Sequence, residues 1–461
     1  MKLAIIYSKE IKDRFEARHY INFVKIKHIL EKCKYVTIRE IATLKGGYTP
    51  SAHFIEDCTR GIYKNCFPFI KSANIRRSIL DLTNLSFIDK EAQKILLKAS
   101  IVKPFDVLIA MTGTVGAIAL VPSIINEANI SQNVVRIRIK EEWKSKFSPE
   151  YLVMMLNSSF GQIQIQGLLT STNQKYLNQI EINKIKIPLL GELNEVIKIY
   201  KKIYFHEDNA FIKISQAKQI FEEEININHK NIKEKKTYIV NSKELSDILL
   251  PKFYYPKYSN TLKELKKKFK TVKLGDIADI KRGDEVGSEN YKKYIEKSDS
   301  DVPFVRTSDL VNYEIDNYPD YYIDEEIYKE LNQDVKEGDI LYTKDGKIGL
   351  TAIMTKEDKC ILASGIARIR IRKDIDTDLN PYYVFLVLST EIGLYQALQR
   401  TVIAATLPHL RPERLAEVEI PLVDPRGQNK ISQLVKDAFK LKAEKKKLFH
   451  EALTKIEGLL K

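Results

Sequence analysis

The chain has 461 residues, 44% of them apolar, and its 75 Lys and Arg against 61 Asp and Glu leave a formal charge of +14. That length predicts about three domains, and so basic a balance in a folded chain favours a polyanionic partner, nucleic acid before a membrane surface. Cys33, Cys58, Cys66 and Cys360 form no CxxC pair, which argues against a disulfide framework or a zinc pattern and predicts a reducing cytoplasm.

Residues 1–35 form a lead-in, and its start, MKLAIIYSKE, has too short an apolar run for a secretory signal. Val36, Ile38 and Ile41 then set a short apolar–polar alternation that ends in a Gly-Gly turn at 46–47. Short β-rich pieces follow (FPFI, FDVLIA, AIALV, NVVRIRI), with polar loops between them. RIRI at 136–139 alternates strictly and predicts a half-buried strand with one basic face. The 19 residues Val107–Ile125 carry no charge and imitate a membrane span. Gly113, Gly116 and Pro122 suit turns, so the segment is predicted as strand–turn–strand in a core. At SPEY, Ser148 caps and Pro149 opens a helix that runs through YLVMML to near Gly161. The mixture has no βαβ rhythm and predicts an α+β domain.

The same order then returns. VTIREIATLKGG (36–47) pairs with VKLGDIADIKRG (272–283), PFIKSANI (68–75) with PFVRTSDL (303–310), and PFDVLIAMTGTVG (104–116) with EGDILYTKDGKIG (337–349). RIRI (136–139) pairs with RIRI (368–371), SPEYLVMMLNSSFG (148–161) with NPYYVFLVLSTEIG (380–393), and IKIPLL (185–190) with VEIPLV (418–423). The offset stays between 232 and 236, so order and spacing are kept throughout. A period this long marks a duplicated domain rather than a solenoid. The counterpart of the uncharged segment carries Lys344, Asp345 and Lys347, which removes the membrane reading.

Each copy is followed by a heptad-like amphipathic stretch. Leu193, Ile197, Tyr200, Tyr204, Phe211, Ile214, Phe221 and Ile225 fall mostly at three- and four-residue steps, with Glu207 in one apolar slot. Ile431, Leu434, Ala438, Leu441, Leu448, Ala452, Ile456 and Leu459 do likewise, with Lys445 in one slot. Each predicts a helix of about 35 residues, roughly 50 Å at 1.5 Å per residue. Their matching places in the repeat favour a coiled coil between them over two helices lying on their own domains. The plan is a lead-in at 1–35, globular copies at 36–190 and 272–423, helices at 191–228 and 424–461, and a charged linker with a second lead-in at 229–271.

No chemical engine is visible. NPYY (380–383) approaches the Asn/Asp/Ser-Pro-Pro-aromatic loop of amino-methyltransferases, but the second proline is missing. The sister copy reads SPEY, where a capped helix accounts for the residues. There is no Walker loop and no GxGxxG opening a helix. The glycines of GTVG and DGKIG suit tight turns at positive φ and remain candidate phosphate contacts. The seven histidines show no metal spacing. The chain is predicted to be non-catalytic, with no cofactor and no metal.

A domain that opens VKLGDIADIKRG, continues PFVRTSDL and EGDILYTKDGKIG, and closes on VEIPLV before a long helix resembles the target-recognition domain of a type I restriction–modification specificity subunit. The first copy is looser, with Arg39-Glu40 for Gly-Asp and Pro104-Phe105-Asp106 for Glu-Gly-Asp. The resemblance covers nearly the whole chain. It implies two DNA-recognition domains separated by two long helices packed as an antiparallel coiled coil, each domain reading half of a split, asymmetric double-stranded DNA target. It also implies docking of two adenine methyltransferase subunits and association with restriction/translocase subunits, the methyl donor binding the partner and no membrane being involved. Two alternatives stay open. An enzyme with duplicated recognition domains is separated by a labelled methyl-donor assay. A stand-alone DNA-binding protein, or a subunit of a related system outside type I, is separated by co-purification with a methyltransferase.

Phosphate contacts position a DNA reader and base contacts specify it, so the candidates are polar and basic residues in loops. In the first copy these are Lys45, Tyr48, Thr49 and Ser51 around the Gly-Gly pair, then Lys71, Asn74, Arg76 and Arg77. Ser171, Thr172, Asn173, Gln174 and Lys175 follow, Asn and Gln suiting adenine and Lys suiting guanine or phosphate. In the second copy they are Arg282, Arg306, Ser308, Lys344 and Lys347, with Arg400, His409 and Arg411 in the late loop.

Overall fold

The computed structural model describes residues 26–55 (save 28 and 32), 66–169, 175–190, 194–227, 237–245, 248–285, 302–373, 379–404 and 407–460. The chain divides into two units, one of Met1–Asp208 with Lys445–Lys461, the other of Asn209–Glu444.

In the first unit, Ala42–Gly46, Val134–Ile139, Val107–Ala110 and Ile118–Leu120 form an antiparallel sheet in that order. Cys66–Ile70 centres a smaller sheet, antiparallel to Ser86–Asp89 and parallel to Asn129–Ile130. Tyr35–Thr37 against Lys186–Pro188 ties the ends together, Val36 opposite Ile187. The second unit repeats this order. Its large sheet runs Ala278–Arg282, Ile366–Ile371, Ile340–Thr343, Thr351–Ile353. Its small sheet centres on Val302–Val305, antiparallel to Tyr322–Ile323 and parallel to Ile361–Leu362. Thr271–Lys273 pairs with Glu419–Pro421, Val272 opposite Ile420. The duplication read from the residues is a duplication of topology.

Local chemistry repeats as closely. The uncharged segment is a hairpin of two fully buried strands, its turn glycines at φ +69° and +80°. No helix among the described residues is long and apolar enough to cross a membrane. Ser148 accepts a hydrogen bond from the Tyr151 amide (3.2 Å) and Asn380 from that of Tyr382 (3.0 Å), each with proline in the first turn. The Gln164 side chain bonds both the amide and the carbonyl of Lys186, each at 2.9 Å. Gln396 does the same to Glu419, at 2.8 and 2.9 Å, so in each copy a side-chain amide stands beside the tie strand as a neighbouring strand would. The Tyr151 hydroxyl donates to the Pro188 carbonyl and that of Tyr383 to Pro421 (2.6 Å), and burial pushes both phenols well above their usual pKa. Tyr383→Phe is expected to lower the stability of the second unit by about 1 kcal/mol, read as a shift of the urea midpoint at unchanged DNA affinity.

Four expectations are corrected. The alternation at 36–41 is a strand, Tyr35–Thr37, followed by one helical turn, Ile38–Ile41. Ile38 and Ile41 are three apart and share a buried helical face, a spacing that so short a run cannot separate from period two. Gly46–Gly47 is not a turn: Gly46 ends a strand, and Gly47 permits a close crossing of backbones. The helix after SPEY stops at Asn157, and a second, Ser159–Leu168, starts from its own cap at Ser158. The second copy breaks identically after Ser389, with Thr390 as the cap. Finally, Cys66 is disulfide-bonded, whereas Cys33 and Cys360 are free.

The long helices are Asn194–Ile225 and Pro425–Leu459. In the first unit their ends run antiparallel: Glu195 meets Lys455 (3.3 Å), Tyr200 meets Phe449 edge-to-face (6.1 Å), and Glu207 meets Lys445. In the second unit, Ala210 and Ile214 pack with Ala438, and Phe221 and Ile225 share a core with Ile431, Val435 and Phe439. The buried seam includes Val196, Ala210, Ala217, Val435, Phe439 and Phe449, which the heptad reading missed. Ile197, Phe211, Leu434, Leu441 and Leu448 are only half-buried, and Leu459 is exposed. The seam is broader than two positions per heptad because each helix also packs on its globular neighbour, as when Tyr204 donates to the Ser78 carbonyl (3.0 Å).

Candidate nucleic-acid interface

The loops that carry the candidates gather at one end of each large sheet. In the first unit Lys45 lies opposite Arg136 at the end of its strand, and Lys45, Tyr48 and Ser51 are exposed. Thr49 is half-buried, its hydroxyl 3.5 Å from the Gln132 amide. The hairpin turn lies beside them, with the Thr114 hydroxyl donating to the Ser72 carbonyl (2.7 Å). Lys71 is exposed, its ammonium 5.2 Å from the centre of the Phe54 ring. Lys175 is exposed next to Tyr176. Ser171, Thr172, Asn173 and Gln174 lie outside the described residues.

The late loops of the two units are anchored alike. The Leu177 amide donates to the Met111 carbonyl (3.1 Å), and the Leu410 amide to the Lys344 carbonyl (2.8 Å). What leads into those anchors differs in sequence, STNQKY (171–176) before Leu177 and TVIAATLPH (401–409) before Leu410. In the second unit it is a hairpin, Val402–Ala404 with Leu407–His409, held to the sheet turn by a Gly346–Pro408 backbone bond (2.9 Å) and by His409 Nδ1 on the Asp345 carboxylate. This brings His409 beside the turn that displays Lys347, and it exposes Ile403 and Leu407. Arg411 is exposed, and with Arg400, Arg414, Ile248, Leu249, Leu250 and Val402 it lines a cavity of about 360 Å³. Arg282 is exposed at the end of its strand opposite Ala367. The Arg306 guanidinium stacks 3.7 Å over the Tyr321 ring, and Ser308 is exposed on the next turn.

Several candidates are committed to the chain itself. Asn74 is buried, accepting from the Lys71 amide (2.9 Å) and donating to the Asn84 carbonyl (3.0 Å). Arg77 donates to the Asn157 carbonyl (2.5 Å), and both Arg76 and Arg77 are half-buried. Arg400 is buried, bonded to the Gln396 carbonyl (3.1 Å), the Gln399 side chain (3.2 Å) and Glu417 (3.3 Å), and burial is the main cause that depresses its pKa. Lys344 is buried, its ammonium 2.9 Å from Asp345. It stands at the position of Met111, a core residue in the other copy, and its charge at that place misled the loop reading. Asn74, Arg400 and Lys344 hold the fold rather than face solvent, and Arg77 is partly engaged in it.

The basic face expected of RIRI is neutralised. Arg138 grips Asp106 through two nitrogens, at 2.5 and 2.6 Å. Arg370 grips Asp339 the same way, both at 2.7 Å, and also bonds Asp334 (2.5 Å). The Arg370 hydrogen bond holds the Asp334 carboxyl down at about 2, so this link persists at neutral pH and is lost as pH falls through that value. Arg368 bonds Asp279 (2.5 Å). The residues that reasoning from the sequence missed are the exposed apolar tips, Tyr176, Ile403 and Leu407. For Ile403 and Leu407 the signal was an apolar run, TVIAATLPHL, set between Arg400 and Arg411 where a loop was expected; Tyr176 follows the polar STNQK and has no such run beside it. Among the described residues, no group of three or more His, Cys, Asp or Glu could hold a metal ion.

Two matched frames, each offering a different exposed loop set from one sheet end, are what a two-part reader of a polymer requires. A family model described as a type I restriction modification DNA specificity domain matches residues 31–197 and 266–449. Among curated proteins no significant match is found. Among solved structures the chain is similar to the S subunit of a type I restriction-modification system from M. genitalium, at 12% identity over 93% of this chain and 94% of that one, TM-score 0.30. It is also similar to the HsdS subunit from Thermoanaerobacter tengcongensis, at 16% identity over 93% and 96%, TM-score 0.28. Identities and scores this low carry no argument of their own, whereas the family model matches the same two stretches that repeat in sequence and in strand order. The chain belongs to the type I restriction modification DNA specificity domain family.

Proposed function

We propose that this chain is the DNA-specificity subunit of a restriction–modification complex. Its recognition domains, at 36–190 and 272–423, read the two halves of a split, asymmetric double-stranded target. The long helices set the distance between the halves, against a DNA turn of about 34–36 Å. Two adenine methyltransferase subunits dock on it and bring the methyl donor; restriction/translocase subunits join them. The chain itself carries out no reaction, and its place is the cytoplasm, where its DNA substrate lies. The observation that carries the reading is one strand order in both units with late loops unlike in sequence, the polar STNQK before Tyr176 and the apolar TVIAATLPH before Leu410. Like frames take partners of one kind, and unlike loops read unlike bases.

Co-expression with a methyltransferase subunit and genome-wide mapping of methylated sites tests it. The expected product is a two-part motif with an unread centre; one continuous motif would overturn the reading. Asn173→Ala with Gln174→Ala is expected to weaken binding tenfold or more at one half-site only, since a good base contact is worth about 1–3 kcal/mol. Arg411→Ala is expected to act at the other half alone. Binding to duplexes with one half scrambled measures both.

A further inference from the structure

Phe105 stands where the backbone asks for glycine. Its φ is +69°, in the left-handed region where a bulky L residue is strained. The equivalent residue of the second unit is Gly338, at φ +87°. An added Cβ at Gly338 would meet nothing within 4 Å, so the turn itself does not call for a side chain. Phe105 is 49% exposed, so burial offsets the strain only in part. The same segment exposes Ile95 and Leu96 and the side chains of Lys98 and Lys103. A strained, exposed aromatic at one copy of a duplicated turn points to a role outside the fold.

We propose that Phe105 is an anchor by which the first unit alone docks a methyltransferase subunit, the ring entering an apolar pocket rimmed by carboxylates that meet Lys98 and Lys103; this rests on the function proposed above. Position argues for protein over DNA. Strand Val107–Ala110 runs from the Phe105 end, where Val107 faces Ile137, to the hairpin end, where Ala110 faces Val134. Lys45 and Gly46 face Arg136 and Val135, at the hairpin end. Phe105 is therefore at the opposite end of the sheet from the exposed loops assigned to DNA. Because Gly338 replaces it in the second unit, the two docked subunits would be held unequally.

The test compares Phe105→Gly and Phe105→Ala with the unaltered chain, using the methyltransferase subunit and a duplex carrying the methylated motif as probes. Both variants lose the ring, but only glycine relieves the backbone. Phe105→Gly is expected to melt at or above the wild type and a few degrees above Phe105→Ala. DNA affinity is expected to stay within about twofold, while affinity for the methyltransferase subunit falls about tenfold or more in both variants. Unchanged affinity for that subunit in Phe105→Gly overturns the proposal, and a matching loss of DNA affinity overturns it in favour of a DNA contact. If the wild type fails to bind the subunit, the functional reading falls with it.

Discussion

Lys445→Met is expected to destabilise the first unit by about 3–5 kcal/mol, the range for breaking a buried ion pair from one side. Lys445 and Glu207 interrupt the apolar pattern of the two long helices, one in each. In the structure the interruptions meet: the Lys445 ammonium bonds the Glu207 carboxylate, with side chains 0% and 6% exposed. Removing the ammonium takes its charge-assisted bond from a carboxylate in a site with little water to solvate it. Removing both charges is a different experiment, because the desolvation cost disappears with the attraction. Glu207→Met with Lys445→Met is therefore expected to fold with stability equal to the wild type or up to about 4 kcal/mol above it. Chemical denaturation of the two singles and the double closes the cycle. A loss under about 1 kcal/mol in the Lys445→Met single would show that the pair is solvated and that this account of the seam is wrong.

The same pair shows where reading the sequence stops. Each interruption was visible alone, but that they oppose each other depends on an antiparallel register that no local pattern encodes. Lys442 makes the point from the other side: it too is fully buried on the seam helix, yet its partner at 3.0 Å is Glu314, from the globular part of the second unit. Features that depend on neighbours in the chain were legible, namely the duplication, the caps at Ser148 and Asn380, and the hairpin glycines with positive φ. Features that depend on what arrives from far away were not. Arg138 and Arg370 read as a basic face because Asp106 and Asp339 stand about 30 residues away in sequence. Lys344 read as a loop residue because its burial is inherited from a position that Met111 fills in the sister copy. Charge in a sequence marks where electrostatics matters, not whether the partner is DNA or the chain's own carboxylate.

Gly47→Ala and Gly283→Ala are expected to separate the two halves of recognition. An added Cβ at Gly47 would lie 2.1 Å from the Ile130 carbonyl oxygen and 2.4 Å from that of Ser131. At Gly283 the corresponding oxygens are those of Leu362 (2.2 Å) and Ala363 (2.4 Å). The obstacle in each case is backbone, tied by the Tyr48–Ile130 bond (3.2 Å) in one copy and the Asp284–Leu362 bond (2.9 Å) in the other, so it cannot rotate aside as a side chain would. Each substitution should cost about 1–3 kcal/mol, toward the upper end, and should displace the chain beside it. After Gly47 that chain carries Tyr48, Thr49 and Ser51; Gly283 is preceded by Arg282 on the strand that ends there. If each unit reads its own half-site, Gly47→Ala abolishes discrimination at one half and leaves the other intact, Gly283→Ala does the reverse, and in the double variant the two losses add. Duplexes scrambled in one half or the other, titrated at fixed salt because phosphate contacts dominate total affinity, read the split directly. Equal damage to both halves by either single variant would mean that the two frames act on the DNA as one surface.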